Sequence, residues 1–444
     1  MGVVKGSVTT SGTHVDLAAL HTSDVLAITE MSCADLDHSG LDFEPSATLP
    51  LRPRKAAMSC ISAAIDSAPP SPSTPLRVGI VGLSAHGGWA ATAHLPALAS
   101  SPAWQIHALA ASSPSSSETA AAKYGIAHAC RSVSELVERP DLDLVVVAVR
   151  VPEHKEIVEA ALRSGKAVLC EWPLAKNLAE AEELTASAQR AGVPAFVGLQ
   201  ARSLPTVRYL RDFVRAGGIG RVLSTTVLGA GGHWGAEIDP RVIYLLDRAN
   251  GATMMTIPFG HALDTVCHSL GEFTSLNATT ATRRPLVRIR GSDEQVPMTA
   301  EDQIAVTGTL KGDIVATAHY RGGQSTGINL RWVIQGTDGD IVVDSTTGHL
   351  QYGHLRVRTC AGAANELVDR PIPDNYGPQW NGTQDFAYAL RCAYEQIRLD
   401  LLHGTHTAPR FEDALVRHRM IAAVQTAAEI GTRQAYFRTS PTGP

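Results

Sequence analysis

Aromatic side chains are nearly missing from the amino-terminal stretch of this chain. It has nine Tyr, eight Phe and six Trp in 444 residues, yet residues 1–74 contain only Phe43. Rings supply much of the area that closes a core, so the folded protein is expected to begin near Pro75. Paired cysteines are missing as well. The seven thiols (Cys33, Cys60, Cys130, Cys170, Cys267, Cys360 and Cys392) are scattered and include no C-x-x-C pair. That argues against a disulfide or zinc framework and fits small core thiols in a reducing compartment. No His/Cys/Asp/Glu set has metal-ligand spacing, so no metal is expected. No Ser-His-Asp pattern stands out.

Long apolar runs and an excess of positive charge are also lacking. The strip Leu144–Val149 falls far short of the ~20 residues of a membrane helix, and no membrane span is expected. The net charge is −5, from 38 basic and 43 acidic residues. No basic cluster interleaves with aromatics, which argues against direct nucleic-acid binding. The amino terminus lacks the basic segment and apolar core of a secretory signal. Asp16, Asp24, Glu30, Asp35 and Asp37 sit where transit peptides avoid acids. A cytoplasmic protein is expected.

Residues 1–68 are rich in Ser, Thr, Ala and Asp without periodicity, and they lead into Ala68-Pro69-Pro70-Ser71-Pro72-Ser73-Thr74-Pro75. Such a run reads as an extended linker. Residues 1–74 are therefore read as a low-complexity, disordered tail, with Met58 as an alternative start. The remainder divides into a nucleotide-binding domain, 75–200, and a second domain, 201–438.

The nucleotide-binding half is written in alternating elements. Leu76–Leu83 is an apolar strand entering a glycine turn, Ser84-Ala85-His86-Gly87-Gly88, and Trp89–Ala99 has helical character. Gln105–Ala111 reads as a second strand, and Ser115–Tyr124 as a helix stopped by Gly125. Asp143–Val149 is a Val-rich run, apolar after its first residue, as suits a strand buried on both faces of a parallel sheet. Helix Glu153–Ser164, strand Ala167–Cys170, helix Leu178–Ala191 and strand Ala195–Leu199 continue the pattern. Strand, glycine turn, helix sets backbone N–H groups against a pyrophosphate. The fold class is thus α/β, a Rossmann-type parallel sheet followed by an α+β domain.

The glycine signal departs from G-x-G-x-x-G, because Ser84 stands at the second glycine. At the end of the second strand, Ala111-Ser112-Ser113 carries no acid for the ribose hydroxyls. The cofactor is NADP or NAD, with NADP slightly favoured.

At Cys170-Glu171-Trp172-Pro173-Leu174-Ala175 the chain resembles the glucose–fructose oxidoreductase/inositol dehydrogenase/MocA family. The likeness extends to His94-Leu95-Pro96-Ala97-Leu98, His154, Gly198-Leu199-Gln200-Ala201-Arg202, Gly260-His261-Ala262-Leu263-Asp264 and a closing helix, Asp413–Thr432. Details are similar to a fungal branch of galactose-regulon repressors and their relatives. These are the long Gly82–His94 loop, the Glu171-Trp172 pair, Gly229–Gly235 and Phe259-Gly260-His261. The resemblance implies that the cofactor rests on Gly82, Leu83, Ser84, Gly87, Gly88, Trp89, Ser112, Ser113, Val149, His154, Glu171, Trp172 and Gln200. It implies an oxidoreductase acting on a sugar, polyol or secondary-metabolite alcohol or carbonyl. The alternative is a catalytically silent regulator that binds a protein partner. It also implies a homo-oligomer.

Family dehydrogenases carry Lys in E-K-P and a D-x-x-x-H pair. Here those positions hold Trp172 and Ile257, leaving His261 as the candidate base. Without the Asp, a structural His261 bonded to Asp264 is equally open. Lys176 would substitute for the missing cation only if its segment turns helically. His233 and Trp234 suit a pocket-lining loop, with Asp264 nearby. The alternative for that pair is a tight turn carrying an exposed aromatic.

Beyond Gly217-Gly218-Ile219-Gly220 the sequence reads as strands without crossover helices. Asp302–Leu310 and Ile314–Tyr320 flank one hairpin turn, and Leu330–Gln335 and Ile341–Asp344 another. Leu350–Thr359 reads as a further strand. An open, mainly antiparallel sheet is expected, with one face packed on helices Gly260–Leu270 and Asp385–Leu402. Tyr320-Arg321-Gly322-Gly323 reads as a surface turn, with an approach to the substrate cleft as the alternative.

Overall fold

The computed structural model describes residues 74–361, 366–378 and 386–437. The expected tail up to residue 73, including Met58, lies outside the described residues. In chain order the first half comprises β1 (Leu76–Val81), α1 (Leu95–Ala99), β2 (Trp104–Ala110), α2 (Pro114–Tyr124), β3 (His128–Cys130) and α3 (Val133–Val137). It continues with β4 (Leu144–Val147), α4 (His154–Arg163), β5 (Ala167–Cys170), α5 (Leu178–Ala191) and β6 (Ala195–Val197). The strands form a parallel sheet in the order β3-β2-β1-β4-β5-β6.

Local chemistry explains the alternation. Every residue of β4 is fully buried, because helices cover both faces, and a β-branched run packs well there. Ser113, Ser132 and Asn177 cap α2, α3 and α5 by accepting a backbone N–H from three residues on. Gly125 and Gly192 close α2 and α5 in the left-handed conformation that glycine adopts freely. In this order β2 and β3 are added on one side of β1 and β4, β5 and β6 on the other, so the winding switches between β1 and β4. The crevice at the carboxyl ends of those strands is where such sheets take ligands.

The second half contains α6 (Pro205–Arg215), β7 (Val222–Gly231), β8 (Glu237–Ile238), α7 (Gly260–Leu270), β9 (Phe273–Ala281), β10 (Leu286–Ile289) and β11 (Gln295–Pro297). Next come β12 (Gln303–Leu310), β13 (Ile314–Gly322), β14 (Leu330–Gly336), β15 (Gly339–Ser345), β16 (Arg356–Ala361) and β17 (Val368–Asp369). Helices α8 (Ala387–His403) and α9 (Phe411–Ile430) end the described chain. Eight strands pair in the order β17-β16-β15-β14-β7-β13-β12-β9, antiparallel except for β13 against β7. Alternate residues of β13 (Ile314, Ala316, Ala318, Tyr320) are buried, while Val315 on the other face is 58% exposed.

The structure corrects several expectations. The glycine-rich stretch from Gly229 does not start a loop, since β7 runs through Gly231. A Cβ at Gly229 would lie 2.1 Å from the Tyr320 ring, so the glycine makes room for a neighbour in the sheet. Tyr320 is fully buried and its hydroxyl donates to the Gly348 carbonyl at 3.1 Å; it is not on a surface turn. The strand expected over Leu350–Thr359 forms only from Arg356. Helix α8 packs chiefly on α1 and on the turn Gln200–Ser203, and its Tyr388 and Ala389 also cluster with Leu355 just before β16. α9 does join the halves, packing on both α5 and β9.

Candidate functional site

The turn after β1 is built around Gly82, whose φ is +99°. A Cβ there would sit 2.5 Å from the Ala148 carbonyl oxygen and 2.9 Å from Val149 Cγ1. Only glycine fits, and Val149 is what the turn closes on. Leu83 is fully buried. The Ser84 hydroxyl accepts the His86 N–H at 3.1 Å, Tyr124 donates to the Ser84 carbonyl at 3.0 Å, and Lys123 Nζ donates to the Ala85 carbonyl at 2.6 Å. Gly87 and Gly88 also have positive φ, and nothing lies within 4 Å of their would-be Cβ positions. The loop is pinned at its base and open at its tip.

At the end of β2, Ser113 Oγ accepts the Ser116 N–H at 3.2 Å and is committed to capping α2. Ser112 is exposed. His154 is buried with both ring nitrogens against backbone oxygens, Nδ1 at 3.0 Å from Pro173 O and Nε2 at 3.2 Å from Val149 O. It ties the end of β4 to the turn after β5, and burial lowers its pKa.

That turn carries Glu171 and Trp172. Glu171 is buried, and a Cβ on Gly198 would come within 2.9 Å of its Oε1. His94 Nε2 lies 3.0 Å from the same oxygen. The other His94 nitrogen, Nδ1, hydrogen-bonds the Tyr394 hydroxyl at 2.7 Å. Trp172 is a core residue. Its Nε1 donates to the Thr256 carbonyl at 2.7 Å, and its ring packs on His418 at 4.9 Å and His261 at 6.4 Å between centroids.

His261 stands at the start of α7, 4% exposed, and Nδ1 has no hydrogen-bond partner. Burial pushes its pKa down to about 4, against weaker upward pulls from Glu171 and Asp264. It is not bonded to Asp264. That carboxylate is taken by Arg202, at 2.8 and 2.7 Å, and by buried Arg417 at 3.2 Å. Desolvation would raise the Asp264 pKa, but the two guanidinium groups bring it to about 2. Asp264 therefore belongs to a structural ion cluster and not to a pocket.

Lys176 does not reach His261 either. Its Nζ pairs with Glu180 at 3.0 Å, and it lines a separate cavity of about 250 Å³ with Arg248, Thr256 and His418. Trp234, expected to line a pocket or to be exposed, is 1% exposed and donates from Nε1 to the Leu245 carbonyl at 3.0 Å. Its neighbour His233 is exposed.

Residues that sequence reasoning missed complete the cleft. His349 is buried, its pKa pushed down to about 3 by burial and by His261 and His233. Its ring stacks on Tyr352 at 4.2 Å, Tyr352 meets Phe386 at 5.0 Å, and Phe386 meets Trp89 at 5.9 Å. An aromatic chain thus runs from the second sheet to the glycine loop. No sequence signal marked it, because these residues are distant in the chain.

A nicotinamide dinucleotide fits these residues. The glycine tip leaves space for phosphate. Trp89 Nε1, Gln200 Oε1 and His261 Nδ1 are buried and without a hydrogen-bond partner in the protein. Buried polar atoms are normally paired, so these three are open to the polar groups of a ligand.

Fold and site together define a dinucleotide-binding protein of the oxidoreductase type. Residues 76–199 match the model of the oxidoreductase family with NAD-binding Rossmann fold, and residues 205–345 match the Gal80p C-terminal domain. The chain is 31% identical to the dehydrogenase aclE of Aspergillus oryzae over 81% of this chain and 98% of that protein. It is 29% identical to the galactose/lactose metabolism regulatory protein GAL80 of Saccharomyces cerevisiae, over 66% of this chain and 72% of that one. The solved super-repressor mutant of Saccharomyces cerevisiae Gal80p superposes with a TM-score of 0.74 at 26% identity, covering 81% of this chain and 98% of that one. Levoglucosan dehydrogenase with NADH and L-sorbose shares the fold, with a TM-score of 0.69 at 21% identity over 82% and 100% of the two chains. The protein belongs to the Gfo/Idh/MocA oxidoreductase family and carries a Gal80-like C-terminal domain.

Proposed function

We propose that this protein is an NAD(P)-dependent oxidoreductase acting on a sugar, polyol or secondary-metabolite alcohol or carbonyl. The bound nicotinamide supplies or accepts the hydride. The observation that carries the reading is His261, buried beside Glu171 with Nδ1 unpartnered. Burial keeps that imidazole neutral near pH 7, so it meets a substrate hydroxyl or carbonyl as a hydrogen-bonding group and not as a cation. Gly82, Gly87 and Gly88 would hold the pyrophosphate, while Glu171, Trp89 and Gln200 would satisfy polar groups deeper in the crevice. The absence of an acid after β2 supports NADP over NAD, with exposed Ser112 as the ribose-side contact. Trp172, packed on His261 and His418, stands where the family resemblance implies a lysine, and lack of that cation would cost about 10²–10⁴-fold in rate. The similarity to a dehydrogenase over nearly its whole length supports turnover. The open sheet face, where Leu228 is 50% and Val315 58% exposed, supports association with a second copy.

A second reading, a silent regulator of the Gal80 kind, is favoured by Trp172 and Ile257 and by the match over residues 205–345. The variant His261→Ala separates the two. Turnover over a panel of polyols and carbonyls is expected to vanish, with cofactor affinity by fluorescence titration nearly unchanged. An unchanged rate removes His261 from the chemistry. Cofactor binding by the unaltered protein with no turnover on any substrate, together with retention of a transcription-factor partner, would favour the regulator.

A further inference from the structure

We propose that His107, His128 and Asp141 form a binding site for a divalent transition-metal ion of the zinc, cobalt or nickel class. The three lie far apart in sequence, and the sheet brings them together. His107 is on β2, His128 opens the edge strand β3, and Asp141 lies in the loop that enters β4. His128 and Asp141 mark amino ends of strands, whereas the nucleotide crevice is at the carboxyl ends. The site is therefore separate from the one described above.

One donor atom from each residue lies within 4.8 Å of the others. His107 Nε2 is 2.8 Å from Asp141 Oδ2, and the two imidazole rings are 4.6 Å apart between centroids at 63°. All three residues are half-buried, which leaves a path from solvent. Two imidazole nitrogens and one carboxylate oxygen form a ligand set for a borderline divalent ion, with water in the fourth position. Metal bonds of about 2.0–2.1 Å at a tetrahedral angle separate cis ligands by about 3.3 Å. The His107–Asp141 pair needs to open by only about half an ångström for a metal ion to replace the shared proton.

Arg139 is the group that competes. Its Nε and Nη2 donate to Asp141 Oδ1 and Oδ2 at 3.0 and 2.8 Å. This fork takes one lone pair from each oxygen, and the remaining lone pair of Oδ2 is the one facing His107. With an ion bound, Arg139 becomes the outer donor that fixes the carboxylate. Its positive charge opposes the binding of a cation. His107 Nδ1 is buried without a hydrogen-bond partner, so no hydrogen bond to that nitrogen fixes the tautomer of the ring. The ion would staple the edge strand β3 to β2 and to the loop before β4.

The test is calorimetric titration of the chelator-treated full chain with zinc chloride, for the unaltered protein, His128→Ala and Asp141→Asn. The unaltered protein is expected to bind one more ion than either variant, or to bind it about tenfold or more tightly. Zinc should raise its Tm and leave that of the variants unmoved. Equal stoichiometry and affinity in all three, or no binding by the unaltered protein, overturns the proposal. Should a variant fail to fold, X-ray absorption of the cobalt-loaded unaltered chain decides. Nitrogen and oxygen neighbours with imidazole scattering support the site, and sulfur neighbours overturn it by placing the ion at the thiols.

Discussion

Acid is expected to unfold this protein through its histidines before it reaches its carboxylates. His418 is the cleanest case. It is 3% exposed, packs against Trp172, has no partner for Nε2, and burial alone pushes its pKa down to about 3. In the unfolded chain the same imidazole returns to its ordinary value of 6.5. Between those values the unfolded state holds a proton that the folded state refuses. The stabilisation is therefore complete above pH 6.5 and is lost as pH falls toward the folded value. The slope is about 1.4 kcal/mol per pH unit, so His418 alone costs about 2 kcal/mol by about pH 5. His261, lowered to about 4, and His349, lowered to about 3, act in the same window. The sum approaches about 6 kcal/mol as an upper bound, a large share of the roughly 5–15 kcal/mol that holds a protein folded. Asp264, near 2, contributes only below the ordinary carboxylate value of 3.8 and does not blur the result. Urea unfolding at a series of pH values from about 7 down to about 5 reads the slope. His418→Leu keeps the apolar contact with Trp172 and should remove one proton's worth of it. A stability that is flat over this window, or an unchanged slope in His418→Leu, would refute the reasoning.

Two further outcomes follow from particular contacts. Gly82→Ala puts a methyl group 2.5 Å from the Ala148 carbonyl at a φ of +99°. It should lower Tm by an amount equivalent to about 1–3 kcal/mol and weaken cofactor binding in a fluorescence titration. Asp264→Asn takes the shared counter-charge from Arg202 and Arg417, although Asp413 and Glu272 remain at 2.6 and 2.7 Å. Denaturant unfolding should show a loss of about 3 kcal/mol, the low end for breaking a buried pair.

The nucleotide half was legible in the sequence because each element carried its own signal. A strand such as β4 is β-branched and buried on both sides, and the helices around it end at glycines or start at Ser and Asn. The second half was less legible wherever a residue answers to a distant neighbour. Gly229 to Gly231 look like a loop until the Tyr320 ring is seen to need the space. Asp264 looks like a partner for His261, three residues away, but Arg202 and Arg417 claim it from other elements. His349 and Tyr352 carry no local pattern that would separate a cleft wall from a strand. The same holds for His107, His128 and Asp141, whose spacing has no motif and whose proximity arises only from sheet order.

The bracing of the first half by the last helices bears on how the protein is made. His94, just before α1, bonds Tyr394, 300 residues later, and the outer edge of β6 accepts the segment before α9, with Val197 N–H donating to Pro409 O at 3.0 Å. A ribosome that has released the whole parallel sheet still holds the pieces that finish it. The nucleotide half must wait, with an open flank, while the entire second sheet is synthesised. Such late, long-range closure slows folding and leaves an intermediate exposed to aggregation. It also means that the first 200 residues, cut out as a module, would lack part of their own wall.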